Sequence, residues 1–194
     1  MERDLLQEEK RRVRRELKET AARFPECYVT EASRAVCDTI LRSEEYKAAS
    51  VIFGYLSFHN EISVDAVLET ALREGKRVAV PWIVSRTEMK AAMLDSLSDL
   101  PLDCYGIRTV REPATPVRPE DIGLILVPGA GFSLNGCRMG RGAGFYDRFL
   151  VKTSGFRLGI TCEALLRETI PVDSYDRKVE ALVTETRFIR CTVS

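Results

Sequence analysis

The feature that most constrains the fold is a change in the spacing of apolar residues between positions 51 and 83. Residues 51–56 form a short apolar run rich in β-branched and aromatic residues, which is typical of a buried strand. Residues 63–72 space their apolar positions like a helix, and residues 77–83 return to a strand pattern. A strand, a helix and a strand in succession predict a βαβ unit with parallel strands and a right-handed crossover.

The rest of the chain continues this pattern. Residues 2–20 are dense in charge with a narrow apolar stripe, which predicts a basic N-terminal helix that docks onto the domain. A second helix is predicted at 31–41, and further strands at 122–127, 157–160 and 181–189. The proline-containing stretch 87–120 is predicted to be irregular. Together these elements predict a single α/β domain over residues 1–194, with three layers formed by a mainly parallel sheet and helices on both faces.

Charge and composition exclude several classes of function. Lys and Arg total 29, and Asp and Glu also total 29, so no overall field favours nucleic acid or a membrane surface as a partner. No apolar run approaches the length of a transmembrane helix, and the first residues are too charged for a secretory signal. The 6 cysteines are scattered without a metal-binding spacing, which predicts free thiols. The chain is therefore predicted to be cytoplasmic, and any anion site must be built locally.

A glycine- and arginine-rich loop at residues 138–147 follows a predicted buried strand. In open α/β sheets, ligands bind beyond the carboxyl ends of the strands. Alternating glycines let a backbone turn its amides toward an anion, and the helix predicted from residue 145 would point its positive end at the same place. Arg138 and Arg141 add cations, and Asp147 adds a candidate Mg²⁺ ligand. Anion binding is thus favoured over a mere tight connection, although the loop has neither the P-loop nor the dinucleotide-binding pattern.

The same loop carries a specific resemblance. Residues 135–150 read Asn-Gly-x-Arg-x-Gly-x-Gly-x-Gly-Phe-Tyr-Asp-Arg-Phe-Leu, which resembles the signature of the 5-formyltetrahydrofolate cyclo-ligase family. Three other segments resemble that family in the same order: a Lys-x-x-x-Arg helix at 10–14, a loop after the first strand with a Glu at 55–62, and an Asp-x-Lys-Val stretch within 175–179. The resemblance spans nearly the whole chain.

The resemblance implies an enzyme that closes 5-formyltetrahydrofolate to 5,10-methenyltetrahydrofolate with ATP as co-substrate and with Mg²⁺. In the implied scheme, the formyl oxygen attacks the γ-phosphate, N10 attacks the resulting phosphorylated imidate, and phosphate leaves. Such chemistry depends on positioning and charge neutralisation more than on a protein nucleophile. The implied partners are small molecules, folate and ATP, with no nucleic acid and no membrane. The chain is expected to act as a monomer.

The resemblance also implies site residues. Catalytic roles fall to Arg141 and Tyr146, and Asp147 and Asp176 are the implied Mg²⁺ ligands. The implied ATP-binding residues are Lys10, Arg14, Arg138, Met139, Gly140, Arg141, Gly142, Ala143, Gly144, Phe145 and Tyr146. The implied folate-binding residues are Leu56, Glu61, Arg141, Gly142, Ala143, Gly144 and Phe145.

Departures from the family pattern keep other functions open. Ala143 stands where relatives carry Gly or Lys, Phe145 replaces a usual Tyr, and Ala91 and Ala92 stand where relatives place aromatic residues beside folate. One alternative is therefore a non-catalytic module of the same fold that binds folate or a nucleotide. Another is an enzyme that acts on a phosphorylated sugar or an acyl-CoA, although such chemistry would need a general base that the sequence does not offer.

Overall fold

The chain alternates helices and strands, and the computed structural model describes residues 2–103 and 106–192. The α-helices in these residues are α1 (Glu2–Ala21), α2 (Glu26–Arg42), α3 (Glu44–Ala48), α4 (Asp65–Arg73) and α5 (Phe145–Leu150). The strands are β1 (Val51–Phe53), β2 (Arg77–Ile83), β3 (Met89–Met93), β4 (Pro116–Val117), β5 (Leu124–Pro128), β6 (Gly131–Ser133), β7 (Arg138–Met139), β8 (Phe156–Ile160), β9 (Leu166–Arg167), β10 (Ala181–Val183) and β11 (Phe188–Arg190). None of the helices in the described ranges is long and apolar enough to cross a bilayer.

An 8-stranded sheet organises the molecule, in the order β11-β10-β8-β5-β1-β2-β3-β4. The central strands from β10 to β2 are parallel, and both edges carry antiparallel strands. Strand β1 pairs with β2 in parallel, with Val51 opposite Arg77, and α4 connects the two. The predicted βαβ unit and the mainly parallel sheet are therefore confirmed.

Helices cover both faces of this sheet. Because successive residues of a strand point to opposite faces, Ile52 and Phe53 of β1 belong to different cores. The Ile52 core includes side chains of α1, α2 and α4. In the other core, Phe149 of α5 stacks on Phe53 with ring centroids 4.6 Å apart. The predicted three-layer arrangement is confirmed.

The prediction of one strand over residues 181–189 is wrong. These residues form the hairpin of β10 and β11, which turns where Thr184 N donates to Arg187 O at 2.9 Å. The carboxylate of Glu163 stabilises this turn by accepting hydrogen bonds from the hydroxyls of Thr184 and Thr186 at 2.8 and 2.9 Å. A distant carboxylate thus stabilises the turn that separates the two short strands.

The prediction that residues 87–120 are irregular is wrong where they form β3 and β4. Because alanine and lysine have little intrinsic preference for strands, the sequence of β3 does not indicate a strand. The strand forms because it pairs with β2 from Met89 to Met93 and buries Ala91 and Ala92. Tertiary packing here overrides local propensity.

A second sheet, with 3 strands in the order β7-β6-β9, leads into the glycine-rich loop. Strands β6 and β7 form an antiparallel hairpin in which Phe132 lies opposite Arg138. Gly136 in the turn has a φ of 82°, and a Cβ there would lie 2.3 Å from the carbonyl oxygen of Val179. Val179 N in turn donates to Gly136 O at 3.0 Å. The hairpin is thus packed backbone to backbone against the segment before β10, and only glycine fits its turn.

Replacing Gly136 with alanine is expected to lower the free energy of unfolding in a urea titration. The positive φ alone costs a non-glycine residue about 1–3 kcal/mol, and the clash with Val179 O adds to this loss because a backbone atom cannot rotate away. Gly75→Ala is the matched control, since Gly75 has a φ of +74° but an added Cβ would meet nothing within 4 Å. Equal losses in the two variants would contradict the packing argument.

Candidate functional site

The glycine-rich loop joins β7 to α5 and lies at the carboxyl ends of parallel strands. Residues just beyond three of those strands, Tyr55 after β1, Gly129 after β5 and Thr161 after β8, line one cavity together with the loop. The loop itself takes positive φ values of 107° at Gly142 and 67° at Gly144. This is the place where open α/β sheets bind their ligands.

Three cavities border the loop. Cavity A has a volume of about 270 Å³, and its lining includes Leu56, Phe58, Glu61, Ile83, Met89, Arg138, Gly140, Arg141, Ala143, Gly144, Phe145, Tyr146 and Asp147. Cavity B has a volume of about 420 Å³, and its lining includes Arg14, Leu17, Tyr55, Glu61, Gly129, Arg141, Ile160 and Leu165. Cavity C has a volume of about 380 Å³, and its lining includes Lys10, Arg14, Arg138, Met139, Gly140, Gly142, Gly144, Asp147, Arg148, Asp173, Asp176 and Arg177.

Lys10 reaches cavity C from α1 and meets two carboxylates. Its ammonium lies 2.9 Å from Asp173 Oδ2 and also contacts Asp176 Oδ2, and the residue is 6% exposed. Burial lowers the pKa of Lys10, but the hydrogen bonds to Asp176 and Asp173 outweigh it and raise the pKa above its usual value. The hydrogen bond from Lys10 also lowers the pKa of Asp173. Lys10 is therefore a fixed cation in the wall of cavity C.

Arg14, one turn further along α1, holds the glycine loop directly. Its Nε donates to the carbonyl oxygen of Gly140 at 2.8 Å. Leu17 on the same helix is fully buried, which anchors α1 against the sheet. A guanidinium carries five N–H donors, so the contact with Gly140 leaves other donors of Arg14 available to an anion. Arg14 thus contributes both to the shape of the loop and to the positive charge of cavity C.

A buried ion pair joins the two ends of the loop. Arg138 Nη2 lies 2.8 Å from Asp147 Oδ1, and the two side chains are 4% and 17% exposed. The same carboxylate oxygen accepts a hydrogen bond from Arg177 N at 3.2 Å. Because breaking a buried pair leaves an uncompensated charge, this contact favours one arrangement of the loop.

The two predicted Mg²⁺ ligands, Asp147 and Asp176, both line cavity C. Within the described part of the chain, the hydrogen bonds of each carboxylate converge on one oxygen, Oδ1 of Asp147 and Oδ2 of Asp176. The other oxygen of each remains for coordination. No group of three or more His, Cys, Asp or Glu side chains that could hold a metal occurs in residues 2–103 and 106–192. The donor set therefore fits a Mg²⁺ ion that takes its other ligands from phosphate and water.

A second ion pair lies between cavities A and B. Arg141 Nη2 is 2.6 Å from Glu61 Oε1, and Glu61 Oε2 accepts a hydrogen bond from Phe58 N at 2.9 Å. Burial raises the pKa of Glu61 above its usual value, and the charge of Arg141 partly opposes this shift. Glu61 thus presents a desolvated acceptor to cavity A.

Two residues of cavity A carry buried polar atoms that have no hydrogen-bond partner among the described residues. These atoms are Arg138 Nε and the hydroxyl of Tyr146. Burial, and after it the Glu61 carboxylate, raises the pKa of Tyr146 well above its usual value, so the hydroxyl remains a donor at neutral pH. A buried polar group without a partner costs about 1–3 kcal/mol. A polar ligand that satisfies these donors is therefore favoured in cavity A.

Apolar and aromatic side chains form the remaining walls of cavity A, among them Leu56, Phe58, Met89 and Phe145. The guanidinium of Arg148 packs over the Phe145 ring, 5.3 Å from its centroid. Ala91 and Ala92 do not line the cavity, because β3 buries them in the two cores of the sheet. The alanines thus reflect core packing, and the aromatic surface of the cavity comes from Tyr55, Phe58, Phe145 and Tyr146.

Every site residue that the resemblance implies lies on at least one of the three cavities. Sequence reasoning missed Asp173, which pairs with Lys10, and Arg148, which donates to Ala143 O at 2.8 Å. It also missed Arg108, whose guanidinium pairs with Asp65 at 2.7 Å beside cavity A. The spacing of Asp173 and Asp176 could have suggested a shared cation. The arginines have no local pattern that distinguishes them from solvated charges.

Comparison with known proteins identifies the family. The model of the "5-formyltetrahydrofolate cyclo-ligase family" matches residues 6–185. A Schizosaccharomyces pombe protein named "Probable 5-formyltetrahydrofolate cyclo-ligase" is 24% identical over 198 residues, covering 93% of this chain and 97% of the relative. The 5-formyltetrahydrofolate cyclo-ligase of Mus musculus is 26% identical over 191 residues, with 91% and 93% covered.

The solved structures agree with this likeness. The NMR structure of Aquifex aeolicus 5,10-methenyltetrahydrofolate synthetase superimposes with a TM-score of 0.85 at 27% identity, covering 95% of this chain and 94% of that one. The similarity therefore extends over the sheet, the loop and α1 together. This chain belongs to the 5-formyltetrahydrofolate cyclo-ligase family.

Proposed function

We propose that the protein is a 5-formyltetrahydrofolate cyclo-ligase that uses ATP and Mg²⁺. The products are 5,10-methenyltetrahydrofolate, ADP and phosphate. The observation that supports this most strongly is that the glycine loop is a wall of both cavity A and cavity C. One loop can then hold a folate on one side and the phosphates of ATP on the other, which places the reacting groups together.

Cavity C suits the phosphates of ATP. Its cations include Lys10, Arg14 and Arg138, and the loop at 139–146 adds backbone amides and glycine surface. In the proposal Asp147 and Asp176 would hold Mg²⁺, which would neutralise negative charge on the phosphates. The clustered cations and the two carboxylates support this assignment.

Cavity A suits the pterin ring of the folate. Leu56 and Phe145 provide apolar surface, and Arg141, Ala143 and Gly144 form the wall that the glycine loop contributes. The carboxylate of Glu61 can accept hydrogen bonds from the amino and ring N–H groups of the pterin. Because the carboxylate is desolvated, a ligand without these donors would leave it poorly paired, and such a site discriminates strongly.

Arg141 and Tyr146 have the catalytic roles in this proposal. Arg141 neutralises charge on the γ-phosphoryl group as it is transferred. The hydroxyl of Tyr146, protonated and without a partner among the described residues, donates to the oxygen that passes from the formyl group to the phosphate. Neither acts as a nucleophile. Preorganised donors of this kind are worth about 2.7–4 kcal/mol each in the transition state.

Product formation by the purified protein tests the proposal. With 5-formyltetrahydrofolate, ATP and Mg²⁺ we expect the near-ultraviolet absorption band of the methenyl product to grow. Omission of ATP, or removal of Mg²⁺ by a chelator, is expected to abolish the growth of the band. No band at high enzyme concentration would contradict the proposal, and binding of folate in calorimetry without turnover would favour a non-catalytic module.

We further propose that the protein acts as a monomer in the cytoplasm, with the whole chain as one domain. The large exposed apolar side chains come from separate segments, among them Leu5, Leu102 and Leu134, which supports a monomer. Gel filtration with light scattering tests the oligomeric state. A mass near twice the 21.9 kDa of the chain would contradict it.

A further inference from the structure

The ion pair between Arg141 and Glu61 joins a carboxylate of cavity A to the glycine loop, whose residues Gly140 and Gly142 line cavity C. Both residues line cavity A and cavity B, and their contact at 2.6 Å bridges the loop after β1 and the glycine loop. While the pair is closed, Arg141 Nη2 faces Glu61 rather than an anion. At the same time Glu61 Oε1 faces Arg141 rather than a ring N–H group.

The two partners differ in how firmly they are held. The side chain of Glu61 is 18% exposed, and its second oxygen accepts Phe58 N at 2.9 Å. The side chain of Arg141 is 56% exposed and stands between Gly140 and Gly142, of which Gly142 has a φ of 107°. Glu61 is therefore the fixed partner, and Arg141 is the partner that can move.

Charge and burial set the direction in which the pair responds to ligands. A polyphosphate carries more negative charge than one carboxylate, so it competes for the exposed guanidinium of Arg141. Release of Arg141 leaves Glu61 as a desolvated carboxylate with one unpaired oxygen, which is costly unless new donors replace the guanidinium. A ligand in cavity A that donates N–H groups to Glu61 removes that cost. Each ligand therefore makes the binding of the other more favourable.

We propose that the Arg141–Glu61 ion pair is a coupling element between the two substrate sites, in which a polyphosphate draws Arg141 away and frees Glu61 Oε1 for a pterin. This inference rests on the proposed function and deepens it, because it makes the two substrates cooperative. By linkage the effect is reciprocal. The folate therefore raises the affinity for the nucleotide by the same factor as the nucleotide raises the affinity for the folate.

Isothermal titration calorimetry measures this coupling. The full-length protein is titrated with 5-formyltetrahydrofolate, first alone and then with saturating Mg²⁺ and a non-hydrolysable ATP analogue with a β,γ-imido bridge. We expect the Kd of the folate to fall by roughly tenfold when the analogue is present, within the range usual for coupled sites. In Arg141→Met the ratio of the two Kd values is expected to fall to about one, since there is no guanidinium to exchange.

Arg118→Met is the matched control, because Arg118 also forms an ion pair with an acidic residue, Asp121, but lines none of the three cavities. It is expected to keep the ratio of the wild type. A wild-type ratio of one, or an Arg141→Met variant that retains the wild-type ratio, would overturn the coupling while leaving the proposed function intact. If the wild type bound neither ligand, the proposed function would fail, and the coupling would fail with it.

Discussion

Replacing Arg141 with methionine is expected to lower kcat by about 10²–10³-fold, with the fold unchanged. Removal of one preorganised donor to a developing charge typically has an effect of this size, which corresponds to about 2.7–4 kcal/mol. Methionine keeps much of the length of the side chain and removes only the guanidinium. Because the side chain is 56% exposed, thermal unfolding should be little affected. Steady-state kinetics at saturating ATP and folate measures the loss.

Arg118→Met provides the control for Arg141. Arg118 also forms an ion pair with an acidic residue, Asp121, but it precedes β5 and so lies at the amino end of that strand, and its side chain is 78% exposed. Its kcat is expected to remain within about twofold of the wild type, because a surface ion pair contributes about 0–1 kcal/mol. An Arg141→Met enzyme with kcat as high as that of Arg118→Met would remove Arg141 from catalysis.

Replacing Asp147 with asparagine is expected to lower turnover by about 10²-fold or more and to raise the Mg²⁺ concentration needed for half-maximal rate. A carboxylate that holds the ion contributes charge that an amide cannot supply, and metal-assisted charge stabilisation is worth several kcal/mol. The amide oxygen of asparagine can still accept from Arg177 N and Arg138, as Asp147 Oδ1 does at 3.2 and 2.8 Å. The fold should therefore form.

The Mg²⁺ dependence separates the metal role from the structural role of Asp147. Loss of the charge opposite Arg138, whose side chain is 4% exposed, is expected to reduce stability as well. A purely structural role would lower the melting temperature and leave the half-maximal Mg²⁺ concentration unchanged. Asp121→Asn, which disrupts the exposed pair with Arg118, is expected to change neither turnover nor Mg²⁺ dependence. An unshifted Mg²⁺ dependence in Asp147→Asn would exclude Asp147 as a ligand.

The central fold could be predicted because its signals are local. The period of apolar residues from 51 to 83 predicts β1, α4 and β2, since each element shows its own spacing within a few residues. The hairpin at the end of the chain could not be predicted in this way. Its turn is hydrogen-bonded to Glu163, which is 21 residues from Thr184 in sequence. No local sequence pattern indicates that these two residues meet. Strand β3 was hidden for the same reason, because pairing with β2 outweighs the weak β-propensity of its alanines.

In the candidate site, too, local features could be predicted and contacts between distant residues could not. The glycines, arginines and acid of residues 138–147 predict an anion site because they are contiguous. The pairing of Lys10 with Asp173 joins residues 163 apart, and nothing local to either residue indicates it. The contact of Arg141 with Glu61 is likewise a product of the folded sheet. The sequence therefore predicts the loop and its chemistry, whereas the ion pairs between its charged residues follow only from the three-dimensional structure.

The most direct test of the account is the fate of the formyl oxygen. The purified protein is incubated with Mg²⁺, ATP and 5-formyltetrahydrofolate that carries ¹⁸O in the formyl group, and methenyl product, ADP and phosphate are quantified. We expect one ADP for each methenyl product, and we expect the released phosphate to carry the label. Methenyl product without ADP, or unlabelled phosphate, would contradict transfer of the γ-phosphoryl group to the formyl oxygen.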